Sequence, residues 1–250
     1  MIQTESHGAA RHVVLDRADK RNAFDRGLVQ ALHVALDEAA SDPTVECVVL
    51  RGNGPAFSAG IDLESLRLLG TPAGLREIRG EFIDCWNRCE TMPKPTVAVV
   101  HGACVGASFE LTLACDLRIV AEDATLGLPE TRIGAVPDVG GLARLGALVG
   151  LSRAKELVLT SKLFDGRRAG ELGLANRVGP ADRLAELADE LVGELLACSA
   201  RANAHSKRIL DATAKPTLHR TLAEELDAQM DVIGDRRFHD GVAAFARSLG

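Results

Sequence analysis

The apolar positions of this chain change period again and again along its length. Short apolar runs at His12–Leu15, Val45–Leu50, Thr96–Val100 and Leu117–Val120 read as buried strands. Between them the spacing turns helical. Leu28, Leu32, Ala35 and Ala39 form one face of a helix over 27–40, which Asp25 can cap and Ser41-Asp42-Pro43 stops. Leu75, Ile78, Phe82, Trp86 and Cys89 form the stripe of a second helix, capped by Thr71, opened by Pro72 and running through Glu90. Leu66–Gly70 is apolar without a clear period, and 107–115 predicts a short buried helix. After Gly141 the pattern is helical almost throughout: 153–160 capped by Ser152, 166–173, a stripe of Leu184, Leu187, Ala188, Leu191 and Leu195, then 201–212, 218–233 and 240–249. Only Asn176-Arg177-Val178 interrupts it, as a last short strand. Strands alternating with helices, then an all-helical tail, predict an α/β fold with a core over 1–180 and a helical region over 181–250.

Composition narrows the function classes. The chain has 250 residues, 46% hydrophobic, with a formal net charge of −6. Lysines and arginines are scattered rather than gathered in a basic stripe, so no nucleic-acid partner is expected. No apolar run approaches the ~20 residues of a membrane helix, and the start lacks the apolar centre of a signal peptide. The six cysteines lie mostly inside apolar patterns and make no C-x-x-C pair, which suits reduced core residues of a cytoplasmic protein.

Chemistry concentrates between Pro95 and Gly141. Two carboxylates, Glu110 and Glu130, interrupt an otherwise apolar stretch, and a third, Asp138, precedes a glycine turn. A buried carboxylate is costly unless paired or used. Glu110 lies three residues after Ala107, on one helix face; if Ala107 is in the first turn, its N–H has no partner inside the helix. The plainer alternative is a structural strand–turn–helix in which Glu110 interacts with its own helix N-terminus. A second glycine-rich loop, 52–63, exposes backbone around Gly60-Ile61 and offers a second oxyanion donor. Lys20 and Arg21 sit in a basic loop that solvation alone can explain, though phosphate contact is the sharper option. There is no P-loop, no G-x-S-x-G nucleophile elbow and no histidine set for a metal; the 52–63 loop is only superficially a dinucleotide fingerprint. What remains is carboxylate acid–base chemistry beside backbone donors, which suits a carbonyl that becomes an enolate.

Several segments together resemble the crotonase superfamily, also called the enoyl-CoA hydratase/isomerase family. They are Lys20-Arg21-Asn22-Ala23-Phe24, 56–63 with Ser58-Ala59-Gly60-Ile61-Asp62-Leu63, His101-Gly102 through Ala107, Cys115-Asp116, Pro129-Glu130 and 134–141. The resemblance spans nearly the whole chain. It implies a spiral of ββα turns, a C-terminal helical trimerisation region, and a homotrimer or dimer of trimers. It implies an acyl-CoA substrate, with coenzyme A as part of that substrate and no separate cofactor. By position, the backbone N–H groups of Ile61 and Ala107 would form the oxyanion hole, and Glu110 and Glu130 the acid–base pair of the hydratases. Glu110 is expected to stay ionised as the base and Glu130 to give the proton. Lys20, Arg21, Ala59, Gly60, Asp62 and Gly106 would lie along the substrate or its nucleotide. Two departures stand out. Asp138 replaces the glycine of most hydratases, resembling the dienoyl-CoA isomerase branch, and Pro-Asp-Val-Gly-Gly also resembles the 3-hydroxyisobutyryl-CoA hydrolases. The basic tail that often follows Ala244-Phe245 and packs on a neighbour's CoA site is not expected here. Keeping both glutamates favours hydration of a 2-enoyl-CoA. Isomerisation, thioester hydrolysis, or an inactive CoA-thioester-binding protein are the alternatives.

Overall fold

Apolar runs uninterrupted by polar residues pay off structurally only in strands covered on both faces. The computed structural model, which describes residues 1–68, 71–215 and 217–248, places them so. Strands β1 (Ile2–His7), β2 (Ala10–Leu15), β3 (Cys47–Gly52), β4 (Thr96–Val100), β6 (Leu117–Ala121) and β9 (Arg177–Gly179) form one sheet in that order. All its pairings are parallel except β1 with β2. Every residue of β4 is buried. A second sheet joins β5 (Ala103–Val105), β7 (Thr125–Gly127) and β8 (Phe164–Asp165).

The helices are α1 (Arg26–Ser41), α2 (Leu63–Leu68), α3 (Pro72–Thr91), α4 (Ala107–Ala114), α5 (Gly141–Val149), α6 (Leu151–Leu159), α7 (Gly166–Glu171), α8 (Leu184–Leu196), α9 (Ala200–Ala214), α10 (Leu218–Val232) and α11 (Arg236–Ser248). Asp25 and Thr71 cap α1 and α3 as expected, accepting from the N–H groups of Leu28 and Gly74. On one face of the parallel sheet α1 and α3 pack together, where Phe24, Phe82 and Trp86 meet with ring centroids 5.1–6.2 Å apart.

Several boundaries differ from expectation. Strand β3 lies two residues later than 45–50, because the parallel register with Pro95 and β4 selects the paired residues. Ser152 caps nothing: α6 begins one residue earlier, with Gly150 at its cap. Helix α11 starts at Arg236, four residues before the expected 240; Leu249, like Leu69 and Gly70, lies outside the described residues. Strand β1 carries no apolar period, since it is an exposed antiparallel edge.

Candidate active site

Two loops and one helix start meet at the mouth of the site. Asn22 Nδ2 donates to the carbonyls of Asn53 and Ala56, tying the basic loop to the 52–62 loop. Ser58 pairs across an isolated parallel bridge with Cys104, and Ser108 Oγ on α4 donates to the Ser58 carbonyl at 2.9 Å. The backbone around Gly60-Ile61 is thereby held against the start of α4.

That contact leaves two N–H groups unspent. Phe24 and Ile61 form a parallel bridge in which Phe24 N–H donates to the Gly60 carbonyl and Asp62 N–H to the Phe24 carbonyl. In this pattern the bridge residue's own N–H points the other way. Ala107 is the first residue of α4, where an N–H has no intrahelical acceptor. Among the described residues neither N–H donates to a protein acceptor. Both residues line one cavity of about 500 Å³, together with Ala59, Gly60, Gly106, Glu110, Glu130 and Asp138. The Trp86 indole N–H, read from sequence as core filling, donates to the Ala107 carbonyl at 3.0 Å and fixes the orientation of that turn.

The three carboxylates converge on this cavity. Glu110 does not reach its own helix N-terminus. Its Oε2 accepts from Val139 N–H at 3.1 Å and Gly141 N–H at 2.6 Å, at the start of α5. The helix N-terminus that Glu110 meets is that of α5, not that of its own α4. Burial, then the nearby Glu130, Glu225 and Asp138, push its carboxyl well above the usual range, against the Gly141 N–H. Glu130 sits in a 3-10 turn after Pro129, its Oε2 buried with no hydrogen-bond partner among the described residues. Burial raises its carboxyl to about 8. Gly106 suits this turn because its backbone, at φ 61° and ψ −132°, is one that L side chains rarely adopt, and a Cβ there would also push on Glu130 Oε1 from 2.8 Å. Asp138 is raised to about 7 by burial, opposed by the Arg79 guanidinium, whose Nε is 3.5 Å from Asp138 Oδ2.

Sequence reasoning missed the groups behind this cluster. Arg79 on α3 was hidden in a stripe read as core. Glu225 on α10 is buried, accepts from Gly140 N–H at 2.9 Å, and is raised to about 7 by burial. Arg144 on α5 donates to the Val139 carbonyl and pairs with Glu90 at 2.7 Å. The only sequence signal for these was a charge on an otherwise apolar helix face. The remaining predicted binding residues lie apart from the carboxylates. Lys20 and Arg21 are exposed in a 3-10 turn, and Asp62 pairs with Arg17 at 3.2 Å while accepting from Glu64 N–H. Among the described residues no group of three His, Cys, Asp or Glu could hold a metal ion.

A family described as enoyl-CoA hydratase/isomerase matches residues 5–249. The chain belongs to this family. Within it, a 2,3-dehydroadipyl-CoA hydratase of Escherichia coli (strain K12) is 32% identical over 233 residues, covering 93% of this chain and 90% of the relative. A peroxisomal Delta(3,5)-Delta(2,4)-dienoyl-CoA isomerase of Arabidopsis thaliana is 32% identical over 189 residues, covering 71% and 68%. The crystal structure of an enoyl-CoA hydratase from Mycobacterium avium subsp. paratuberculosis K-10 superposes with a TM-score of 0.89 at 29% identity, covering 99% and 96%. The fold is accordingly the crotonase-like spiral with a C-terminal helical region, and the enoyl-CoA hydratase/isomerase family includes relatives named for both reactions.

Proposed function

We propose that the protein is an enoyl-CoA hydratase, adding water across the 2,3 double bond of a 2-enoyl-CoA. One observation carries this reading: the buried Glu110 and the half-buried Glu130 face the same cavity as two backbone N–H groups that have no protein acceptor among the described residues. The thioester carbonyl sits on the Ile61 and Ala107 N–H groups, which stabilise the enolate oxygen as charge develops there. Water lies between Glu110 and Glu130. Burial raises both carboxyls, so the pair shares one proton; the two backbone donors on Glu110 Oε2 favour the anion there, which leaves that proton on Glu130, whose Oε2 has no donor among the described residues. Glu110 draws a proton from the water as its oxygen bonds C3, and Glu130 delivers a proton to C2. Glu130 acts only while protonated, so kcat/KM is expected to fall as pH rises through about 8.

The adenine nucleotide of coenzyme A runs toward Lys20 and Arg21, the exposed cations beside the 58–62 loop. We place the enzyme in the cytoplasm as a homotrimer or dimer of trimers. Five buried free thiols support the first, and the unburied apolar face of α9 the second. A second reading, isomerisation of a dienoyl-CoA, is favoured by one feature, the third carboxylate Asp138 in the same cavity.

The test is loss of the conjugated thioester absorbance on incubation with crotonyl-CoA and longer 2-enoyl-CoAs. Glu130→Gln is expected to lower kcat by about 10²–10⁴ while acyl-CoA binding survives. Wild-type turnover in that variant would place the chemistry elsewhere.

A further inference from the structure

The segment from Glu130 to the first residue of α5 carries Asp138 and both donors to Glu110, yet two of its other backbone N–H groups are satisfied from far along the chain. Val136 N–H donates to Gln229 Oε1 at 2.7 Å, and Gly140 N–H to Glu225 Oε2 at 2.9 Å. A turn earlier on α10, the Leu222 carbonyl accepts from Arg79 Nη2, the arginine whose Nε faces Asp138. Leu222, Glu225 and Gln229 recur at helical spacing and share one face of α10. All three are buried. A helix docked for apolar burial alone would not present a carboxylate and an amide inward, since buried polar groups destabilise unless hydrogen-bonded. Their partners here are the backbone of the site loop. The three successive N–H groups of Val139, Gly140 and Gly141 go to Glu110, Glu225 and Glu110 in turn. Holding the middle one fixes the direction of its neighbours on either side.

We propose that Glu225 and Gln229 are positioning residues: through them α10 holds the 136–141 loop in the shape that fixes Glu110 and presents Asp138, so the site is complete only with α10 docked. The inference uses the hydratase reading for its kinetic readout alone. Glu225 is faced by Arg79 on α3, by Glu110 on α4, by Arg144 on α5 and by Asp138 on the loop, with Glu130 beyond Asp138. Removing its charge therefore changes the ionisation of the cluster as well as the geometry of the loop, and the two effects separate by substitution.

The experiment compares the full chain with Glu225→Ala, Glu225→Gln and Gln229→Ala by steady-state kinetics and by hydrogen exchange of the 136–141 amides. Glu225→Ala is expected to lower kcat about tenfold or more with KM within about threefold, and to speed exchange at Gly140 about tenfold. Gln229→Ala should do the same to exchange at Val136. Glu225→Gln keeps an acceptor oxygen. It should restore protection and bring kcat at its optimum within about threefold of wild type. Its pH profile should differ from wild type only above about 7, where Glu225 is ionised and its loss relieves Glu110 and Asp138 of a like charge. Wild-type kcat and protection in Glu225→Ala would overturn the proposal. So would equal loss of kcat in the alanine and glutamine variants, or a parallel loss of melting temperature and acyl-CoA binding in both. If the wild type does not hydrate 2-enoyl-CoAs, the function reading fails by itself, and exchange at Gly140 and Val136 still decides the inference.

Discussion

On the proposed function Ala107 contributes through its backbone, so side-chain logic gives the wrong forecast for it. As the first residue of α4 it occupies the position where proline is best tolerated, since the N–H is unpaired there anyway. Ala107→Pro is therefore expected to fold yet lose about 3–4 kcal/mol of transition-state stabilisation, while Ala107→Gly stays active. Steady-state rates for the two variants check this; equal behaviour would contradict a backbone donor. Asp138 is the residue that separates the two readings of the site. Hydration needs only Glu110 and Glu130, so Asp138→Asn should keep 2-enoyl-CoA hydration within about tenfold. Any 3,5-dienoyl-CoA isomerisation or 3-hydroxyacyl-CoA hydrolysis should be lost. A wild type that only isomerises or only hydrolyses, with Asp138 essential, would reverse the order of the readings.

At the scale of elements, what could be read from the sequence was what repeats locally. The caps at Asp25 and Thr71, the stripe of α3 and the β-branched run of β4 each declare themselves within a few residues. So did the two loops and two glutamates, because glycines and charges inside apolar runs are conspicuous. Strands β5, β7 and β8 were invisible, being two or three residues long and defined only by their partners. Glu225 was unreadable as a site residue for the same reason, since its partner Gly140 lies 85 residues away. Helix α9 poses the opposite question. It buries none of its residues and exposes Ile209 and Leu210, so its apolar side has no cover among the described residues. Sedimentation at micromolar concentration is expected to give a trimer or hexamer, and a monomer would sink that assignment.

For the whole molecule, four carboxyl groups held above their usual range carry a cost that depends on pH. Glu110, Glu130, Asp138 and Glu225 ionise near pH 4–4.5 once unfolded, but the folded chain retains protons on Glu130 up to about 8 and on Asp138 and Glu225 up to about 7. The folded state thus binds more protons, so this contribution to stability falls as pH rises through that window and levels off above it. Glu130→Gln removes one such group. Its melting temperature relative to wild type should be higher at about pH 8.5 than at about pH 5.5, and a gap independent of pH would argue against a protonated Glu130.

The hydrogen bond from Val136 to Gln229 also sets an order in time. The two residues are 93 positions apart, so at about 5–20 residues per second the acceptor is made roughly 5–20 s after the donor. A nascent chain paused beyond α9 can already hold the parallel sheet, the bridge between Ser58 and Cys104 and the open N–H of Ala107, because all of these are encoded earlier. It still lacks Glu225 and Gln229, the side chains proposed above to hold the 136–141 loop. On the proposed function, synthesis therefore delivers the donors of the thioester seat before the side chains that align the proton-transfer groups.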